Sequence, residues 1–386
     1  MLLVTGAYQP EISAAAVQCR AVAAAIGGRA RVSVLTTAVT PSLPSIETID
    51  GVVVHRVTVD VRSRASKMLA SVRLARQMLK AADTYDVVHV HGFSQKNVPV
   101  AILARLLGKP IVLSLHTSGQ DEPEIVKRRG ALAYWALRTA RLVLCVSPDL
   151  CERWVAAQLP ADRVRLTPNG VDTSRFRPAD EDERNTLRRA LGWRETQPVL
   201  LFVGFFSRDK RPDLLFRAWR RIAADSVRPK LVFVGAKRTG YYEIDASLEE
   251  QIRRESASLG RSDDVISIEP THDIERYFRA ADAYVMPSIR EAHPLALLEA
   301  MSCGLPCIAT RLAGATDALI DDGQNGRLFP ADDEASLADT LKQVLADPAA
   351  ARAMGARARE TVVARYDIRR TADQWLAAYE SVLSLG

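Results

Sequence analysis

The chain has 386 residues, of which 48% are hydrophobic and 25% are charged, and its formal net charge is +6 at pH 7. That length predicts two domains, and the composition is ordinary for a soluble globular protein. No apolar run reaches the roughly 18 residues that a membrane span needs, and residues 1–6 read as a strand with no secretory leader, so we expect a cytoplasmic protein. The five cysteines lack a Cys-x-x-Cys spacing, which argues against a disulfide framework and against zinc.

Short apolar runs alternate with helical stretches along the whole chain, which is typical of βαβ units on a parallel sheet. A first series predicts strands near residues 1–5, 31–36, 51–57, 86–91, 110–115, 141–146 and 163–167. A polar, turn-rich stretch from Pro168 to Asp180 predicts a linker. A second series predicts strands near residues 199–203, 230–235, 264–268, 283–287, 306–309 and 326–329. We therefore predict α/β domains at residues 1–178 and 179–365.

Charge is distributed unevenly between these two parts. Residues 1–178 carry 23 Lys and Arg against 13 Asp and Glu, a balance of +10, and residues 179–386 carry 29 against 33, a balance of −4. The predicted helix from Ser66 to Lys80 mixes cations with apolar residues like a membrane-surface helix, and a second cationic stretch runs from Lys127 to Arg141. Ordinary solvated faces explain the same pattern and are the commoner case. Nucleic acid is not expected, because the cations are scattered and no binding motif accompanies them.

Three histidines follow or end predicted strands in the first part. His89 and His91 share one face of a strand, but no third ligand at metal spacing follows, so we expect packed side chains and no metal site. His116 ends the apolar strand from Pro110 to Leu115, at the edge where parallel sheets bind ligands. A lone histidine at a strand end is, however, more often structural than catalytic.

In the second part, the apolar run that ends at Val203 is followed by Gly204 and two cations, Arg208 and Lys210. Glycine lets the backbone turn tightly and approach a ligand. Arginine can hold phosphate oxygens with two hydrogen bonds, and lysine adds a point charge. Either cation alone would be unremarkable on a surface, but together after a strand they predict a diphosphate site.

A second polar set follows the predicted strand at 283–287. Pro294 fits the first turn of a helix, which leaves free backbone N–H groups suited to an anion. Glu299 lies further along that helix and points back toward its start, where a ribose would lie beside the phosphate. Glu291 precedes the turn and could accept hydrogen bonds from a sugar. The alternative is that Glu299 is solvated and that Glu291 only complements the helix dipole.

These two sets, in their order and separation, resemble those of the retaining glycosyltransferases of family 4. Proteins of that family have the GT-B fold, two Rossmann-like βαβ domains facing each other across a cleft. Further segments agree with it, namely residues 86–92, 114–117, 145–148 and 167–172. The resemblance spans nearly the whole chain and implies that a C-terminal helix, at about residues 366–386, crosses back to the first domain.

The resemblance also implies roles for individual residues. His116, Arg208, Lys210 and Glu291 would be catalytic, with His116 near the transferred sugar. The donor-binding residues would be Gly204, Arg208, Lys210, Glu291, Ala292, His293, Pro294, Leu295 and Glu299.

The loop after the first strand departs from the family pattern. Ile12 and Ser13 occupy the positions where a pair of glycines is usual in the loop that meets the donor phosphate and the acceptor. The side chain of Ile12 would hinder close approach, whereas Ser13 could cap the following helix or donate its hydroxyl to a phosphate. His293 likewise stands where the family more often has an aromatic residue, which changes the pocket shape.

The resulting expectation is transfer of a sugar from a nucleoside diphosphate sugar to a hydroxyl acceptor, with retention of anomeric configuration and without a metal cofactor. The acceptor would be a sugar, a lipid-linked sugar or a small molecule, and peripheral contact with the inner face of the membrane is kept as a hypothesis. The alternatives are a GT-B epimerase or phosphorylase, or a non-catalytic nucleotide-sugar-binding protein. A dehydrogenase is disfavoured because no Gly-x-Gly-x-x-Gly follows a predicted strand.

Overall fold

Residues 1–94, 96–223, 228–235 and 244–384 are described by the computed structural model. They divide into two compact units. The first contains residues 1–170 and the C-terminal helix, and the second contains residues 171–367.

The first unit alternates strands and helices along the chain. Its elements are β1 (Leu2–Thr5), α1 (Ala14–Ile26), β2 (Ser33–Ala38), β3 (Ile46–Ile49), β4 (Val52–Thr58), α2 (Arg64–Lys80), β5 (Val88–His91), α3 (Asn97–Leu106), β6 (Ile111–Leu115), α4 (Pro123–Arg128), α5 (Ala131–Arg138), β7 (Leu142–Cys145), α6 (Pro148–Ala156) and β8 (Val164–Leu166).

The sheet of the first unit runs in the order β3-β4-β2-β1-β5-β6-β7-β8, and its neighbouring strands are parallel except for β3 and β4. Strands β1, β5, β6 and β7 are buried at every residue, which explains why they read as uninterrupted apolar runs. Strand β3 was not predicted. It is a short, half-exposed edge strand whose two central residues, Glu47 and Thr48, are polar, so it lacks the apolar run that identified the others.

The second unit has the same alternation. Its elements are α7 (Glu181–Ala190), β9 (Val199–Val203), α8 (Pro212–Ile222), β10 (Lys230–Val234), α9 (Ala246–Ser258), β11 (Val265–Ile268), α10 (Glu275–Ala280), β12 (Ala283–Met286), α11 (Leu295–Ser302), β13 (Cys307–Thr310), β14 (Arg327–Phe329), α12 (Glu334–Ala346) and α13 (Pro348–Arg365).

The sheet of the second unit is parallel throughout, in the order β11-β10-β9-β12-β13-β14. Alternate residues of its strands enter two separate apolar cores. Leu201 and Val232 belong to one core, and their chain neighbours Leu200 and Leu231 belong to the other. Both faces of this sheet are therefore covered, as expected for strands that alternate with helices.

The boundary between the units lies earlier than the predicted 178. Val171 and Phe176 are buried in a core of the second unit, and the N–H of Val171 donates to the carbonyl oxygen of Tyr366 at 2.9 Å. Residues 171–178 therefore belong to the second unit, because their apolar side chains pack there although the segment reads as a polar linker.

The last helix, α14 (Ile368–Ser384), belongs to the first unit. Its Trp375 and Tyr379 pack into the first unit's core, and Thr371 Oγ1 donates to the carbonyl oxygen of Pro168 at 3.2 Å. Gly170 lies so close to this helix that a Cβ atom would come within 2.5 Å of Thr371 Oγ1. Gly170 thus permits the close packing of this segment against α14. No helix in the described ranges has the length and apolarity to cross a membrane.

Candidate active site

The loops that follow β9 and β12 are joined to each other. These strands are neighbours in the sheet, so their carboxyl ends meet at one edge. The N–H of Ile289 donates to the carbonyl oxygen of Asp209 at 2.8 Å, and the Arg290 guanidinium pairs with the carboxylate of Asp209. The loops that contain the two polar sets found in the sequence therefore lie in contact at one edge of the sheet.

Lys210 and Glu291 form the central ion pair of these loops. The Nζ atom of Lys210 lies 2.5 Å from Oε1 of Glu291, and the two side chains are 30% and 10% exposed. The Lys210 side chain passes beside Gly204, where a Cβ atom would lie 3.9 Å from Lys210 Cγ. The cation of Lys210 thus lies beside the carboxylate of Glu291, which is three residues before Pro294. Solvent still reaches both side chains.

Arg208 has a different environment. Its side chain is 84% exposed, and Nε lies 3.1 Å from Oδ2 of Asp245, the residue that caps α9. The structure therefore does not bring Arg208 to Glu291. Because an exposed ion pair of this kind contributes little to stability, the long side chain can change partners at low cost.

Gly204 and Gly235 end two neighbouring strands in close contact. A Cβ atom at Gly235 would lie 1.8 Å from the carbonyl oxygen of Gly204, and Gly235 has a φ of +155°, which side chains rarely allow. The N–H of Gly204 donates to the carbonyl oxygen of Val234 at 3.0 Å. Glycine at position 204 is thus needed partly for packing against Gly235. The sequence does not reveal Gly235, because it is distant from Gly204 in the chain and close to it only in the folded structure.

Helix α11 begins at Leu295, one residue later than the prediction, and Pro294 is its extended N-cap residue. No side chain caps this helix end, so the N–H groups of its first turn have no partner within the helix. Glu291 and its partner Lys210 precede this end. An uncapped helix start beside a lysine is suited to an anion.

Glu299 lies on the second turn of α11 and is partly buried. Burial raises the pKa of its carboxyl to about 8, with a smaller opposing effect of Arg175, which is itself paired with Glu275 at 2.8 Å. Both Glu299 and Glu291 act on the buried Tyr284, whose pKa is raised mainly by burial and less by these carboxylates. Both glutamates are therefore close enough to Tyr284 to act on it electrostatically.

The other residues predicted at this end of α11 are mostly buried. Ala292 and His293 are 5% and 6% exposed, and Leu295 is partly exposed. The His293 ring packs on Tyr366 with 5.4 Å between centroids, and burial lowers the pKa of His293 to about 3. His293 thus acts as a packed aromatic ring in this structure.

Two buried hydroxyl groups at the same sheet edge were not predicted. Ser288 follows β12 and Thr310 ends β13, and both are fully buried. Neither hydroxyl has a hydrogen-bond partner among the described residues. In the sequence nothing distinguishes them from other serines and threonines.

The three predicted histidines of the first unit form one stack. His89 makes hydrogen bonds to Tyr379 Oη and to Ser114 Oγ, each at 2.7 Å. His91 Nδ1 lies 3.0 Å from His116 Nε2, and the rings of His89 and His91 are 4.0 Å apart. Burial lowers the pKa of all three, that of His116 to about 4. All three are packed, neutral rings. His89 and His91 belong to β5, whereas His116 lies in the loop after β6.

Asp121 fixes the backbone around His116. Its carboxylate accepts hydrogen bonds from the N–H groups of Phe93, His116 and Thr117 at 2.7, 2.8 and 2.9 Å. The side chain is 3% exposed, so it ties together the ends of β5 and β6 away from solvent. Sequence reasoning missed Asp121 because it lies in a loop, and its donors become neighbours only when the sheet forms.

The first loop of the first unit contains Ile12 and Ser13. Ser13 caps α1, since its hydroxyl accepts from the N–H of Ala16 at 3.1 Å. Of the two roles considered for Ser13, capping is the one present in this structure. Ile12 is partly exposed beside it.

Two α/β units of this kind, each built on a mainly parallel sheet, are the architecture of the GT-B fold. Anabaena HepE in complex with UDP and glucose superimposes with a TM-score of 0.81 over 98% of this chain and 99% of its own, at 20% identity. Sucrose-phosphate synthase from Thermosynechococcus elongatus gives 0.80 over 100% and 99%, at 21% identity. At these identities the likeness establishes the fold.

The sequence comparisons establish the family. The glycosyl transferases group 1 profile matches residues 183–361, and the Glycosyltransferase Family 4 profile matches residues 15–175. D-inositol 3-phosphate glycosyltransferase 1 of Catenulispora acidiphila is 31% identical over 379 residues, covering 92% of this chain and 87% of that protein. Alpha-maltose-1-phosphate synthase of Mycolicibacterium smegmatis is 28% identical over 323 residues, covering 79% and 81%. The chain belongs to the group 1 glycosyltransferases.

Proposed function

We propose that this glycosyltransferase moves a sugar from a nucleoside diphosphate donor to a hydroxyl acceptor and retains the anomeric configuration. The observation that carries the proposal is the ion pair between Lys210 and Glu291, which joins two strand-end loops just before an uncapped helix. A cation for the diphosphate, backbone donors and a carboxylate for sugar hydroxyls then lie within a few residues of one another.

In this proposal the donor replaces the internal ion pair. Lys210 turns from Glu291 to the diphosphate, which also meets the N–H groups at the start of α11. Arg208 exchanges its exposed partner Asp245 for a phosphate oxygen. Glu291, released from Lys210, accepts hydrogen bonds from the hydroxyl groups of the transferred sugar.

Glu299 is assigned to the ribose. A partly buried carboxyl with a pKa of about 8 is held mainly in its neutral form near pH 7, because burial disfavours the charge. Ribose hydroxyls donate hydrogen bonds to a carboxylate and so favour its charged form. Binding of the nucleotide should therefore lower the pKa of Glu299.

The chemical step needs stabilisation of the departing diphosphate. The bond between the anomeric carbon and the diphosphate oxygen breaks, the electron pair leaves with the diphosphate, and the acceptor oxygen bonds to the same face of that carbon. The acceptor proton passes to the departing oxygen. Lys210, Arg208 and the positive end of α11 would stabilise the charge that develops, and His116 is assigned to the sugar.

Product analysis with a panel of UDP-, GDP- and ADP-sugars tests this function. The relatives named above make a phosphorylated polyol the first acceptor to try. The proposal predicts release of nucleoside diphosphate that depends on the acceptor, and a glycoside whose NMR coupling constant matches the donor's anomeric configuration. An inverted product would refute retention. A free epimer or a sugar 1-phosphate would favour the epimerase or phosphorylase, and donor binding without turnover would favour a sensor.

We further propose that the first unit contacts the inner face of the membrane. Helix α3 packs against both α2 and α5, so it joins the two parts of this unit in which the cationic stretches of the sequence lie. Exposed apolar side chains lie on all three helices, namely Met68, Leu69, Val72, Leu79, Ile102, Leu106, Leu132 and Trp135. This set is called the apolar surface below.

Cations accompany the apolar surface without acidic residues. Helices α2, α3 and α5 contain no Asp or Glu. Within the described part of the chain, Lys67, Arg73, Arg76 and Arg105 have no ion-pair partner. Apolar side chains among unpaired cations match the chemistry of an anionic lipid surface, which the cytoplasmic leaflet provides.

Co-sedimentation with vesicles tests the membrane contact. The parent protein should bind vesicles that contain phosphatidylserine, bind less at higher salt, and bind little to neutral phosphatidylcholine vesicles. Substitution of Arg73 and Arg76 by Glu should abolish sedimentation, whereas Arg253→Glu on α9 of the second unit serves as the matched control. Absence of binding to anionic vesicles at both low and moderate salt would end this proposal.

A further inference from the structure

Lys96 places a cation at the carboxyl end of β1. Its Nζ atom donates to the carbonyl oxygen of Thr5 at 3.1 Å and to Thr37 Oγ1 at 3.3 Å. Thr37 Oγ1 in turn donates to the carbonyl oxygen of Gly6 at 2.6 Å. The ammonium group is therefore held over the ends of β1 and β2 by neutral oxygen atoms.

No carboxylate balances this charge. Lys96 forms no ion pair with any of the residues that the structure describes. Burial lowers the pKa of Lys96 to about 8, and no acidic neighbour raises it. Lys96 is partly buried, and an ammonium without a counter-ion in such a place costs the fold stability, so its presence calls for a role other than stability.

The space beside the ammonium is open. Gly6 is exposed, and a Cβ atom at that position would lie 3.5 Å from Lys96 Nζ. Two of the three N–H donors of the ammonium are used by Thr5 and Thr37, which leaves the third for a ligand. The Thr5 hydroxyl is 1% exposed and has no hydrogen-bond partner among the described residues.

We propose that the end of β1 is an anion site in which Lys96 binds a phosphate monoester group of the acceptor. A compact ammonium with one free donor suits a phosphate oxygen as a point charge. Gly6, which has no side chain, leaves room for that oxygen beside the ammonium. This assignment rests on the proposed transfer reaction and specifies its acceptor as a phosphorylated hydroxyl compound.

Calorimetric titration with inorganic phosphate tests the site. Because phosphate could also enter the second unit's diphosphate site, the titration is done with UDP, or the diphosphate found to bind most tightly, at saturation. The parent should bind one phosphate. Lys96→Met, which keeps the length of the side chain but removes the charge, should weaken phosphate binding by about tenfold or more, the size of a charge-assisted hydrogen bond.

The control is Lys109→Met, which removes the same charge from the same unit, where Lys109 lies over the Tyr85 ring. It should bind phosphate like the parent, and both variants should bind the diphosphate like the parent. Phosphate binding by Lys96→Met equal to that of the parent would overturn the site. So would a parent that binds diphosphate but no phosphate, whereas a parent that binds no diphosphate would refute the proposed function instead.

A labelling experiment on the parent protein tests the same site without a substitution, so it does not depend on whether Lys96→Met folds. Lysine amines are reductively methylated with diphosphate at saturation, with and without inorganic phosphate, and the modified residues are identified by mass spectrometry. Phosphate should slow the modification of Lys96 and leave that of Lys109 unchanged. Equal rates at Lys96 in the two conditions would overturn the proposal.

Discussion

The two units use polar side chains at their sheet edges in opposite ways. In the second unit, opposite charges face each other across partly exposed loops, as in Lys210 with Glu291 and Arg208 with Asp245. In the first unit, His116 is neutral and Asp121 is buried and bonded to backbone N–H groups. The exposed pair of Arg208 and Asp245 can be exchanged for a ligand at low cost, and the ammonium of Lys210 still reaches solvent, whereas a buried network holds one geometry. The second edge is suited to binding and release, and the first to positioning.

The largest expected effect is the loss of activity when Lys210 is removed from its ion pair with Glu291. Lys210→Ala removes a donor that stabilises the departing diphosphate and leaves Glu291 unpaired, so kcat/KM should fall by about 10²–10³-fold. Steady-state assays of diphosphate release measure this. Arg352→Ala, an exposed cation on α13 of the same unit, is the matched control and should behave like the parent. A Lys210→Ala enzyme within about threefold of the parent would remove Lys210 from the site.

The site residues at the sheet edge of the second unit could be predicted where they lie close to an apolar strand in the sequence. Arg208, Lys210, Glu291 and Glu299 lie in short segments directly after apolar strands, and two such strands become neighbours in a parallel sheet. The sequence therefore predicts that both sets lie at the same edge of the sheet. The ion pair between Lys210 and Glu291, which are 81 residues apart, depends on the strand order, because β9 lies beside β12 although two strands separate them in the chain. That pairing could not be predicted, and neither could the position of Arg208, whose partner Asp245 follows another strand.

The first unit's edge was much less predictable. Asp121 and Lys96 act through backbone atoms of distant strands, and such contacts leave no pattern of residue types. The histidine stack depends on Trp375 and Tyr379 of α14, which the chain supplies nearly 300 residues later. The resemblance placed a C-terminal helix in the first domain but did not show which of its side chains meet the histidines.

The second prediction concerns this fixed network. Asp121→Ala leaves the N–H groups of Phe93, His116 and Thr117 without their acceptor, which should lower the free energy of unfolding by roughly 3 kcal/mol or more. Amide hydrogen exchange should accelerate at those residues, and Asp121→Asn, which keeps one carbonyl oxygen, should show a smaller change. Unaltered exchange at all three amides would contradict the role of Asp121.

A smaller effect is expected at the ribose position. Glu299→Ala should weaken binding of free nucleoside diphosphate by about tenfold, the loss of a hydrogen bond to a charged group. Glu360→Ala, which removes an exposed carboxylate from α13 of the same unit, is the control and should bind the free diphosphate as the parent does. Calorimetry with UDP, GDP and ADP measures both variants. Equal diphosphate affinities of Glu299→Ala and the parent would refute the ribose assignment.

The smallest expected effect is a pH dependence. Because the pKa of Glu299 is raised to about 8 in the folded protein, the stability linked to its proton is complete below the unfolded value of 4.5 and is lost as pH rises toward 8. Glu299→Gln lacks this titration. Its melting temperature relative to the parent should therefore rise between about pH 5 and 8 and then level off. A difference that does not change with pH would show that the carboxyl is not desolvated.

We infer above all that a nucleoside diphosphate takes the place of the internal ion pair in the second unit. A crystal structure of the protein with a bound nucleoside diphosphate tests this inference directly. In it we expect Lys210 Nζ within hydrogen-bonding distance of a phosphate oxygen, Glu299 accepting from the ribose hydroxyls, and a phosphate at the start of α11. A nucleotide bound elsewhere, with Lys210 and Glu291 still paired as in the unliganded protein, would contradict it.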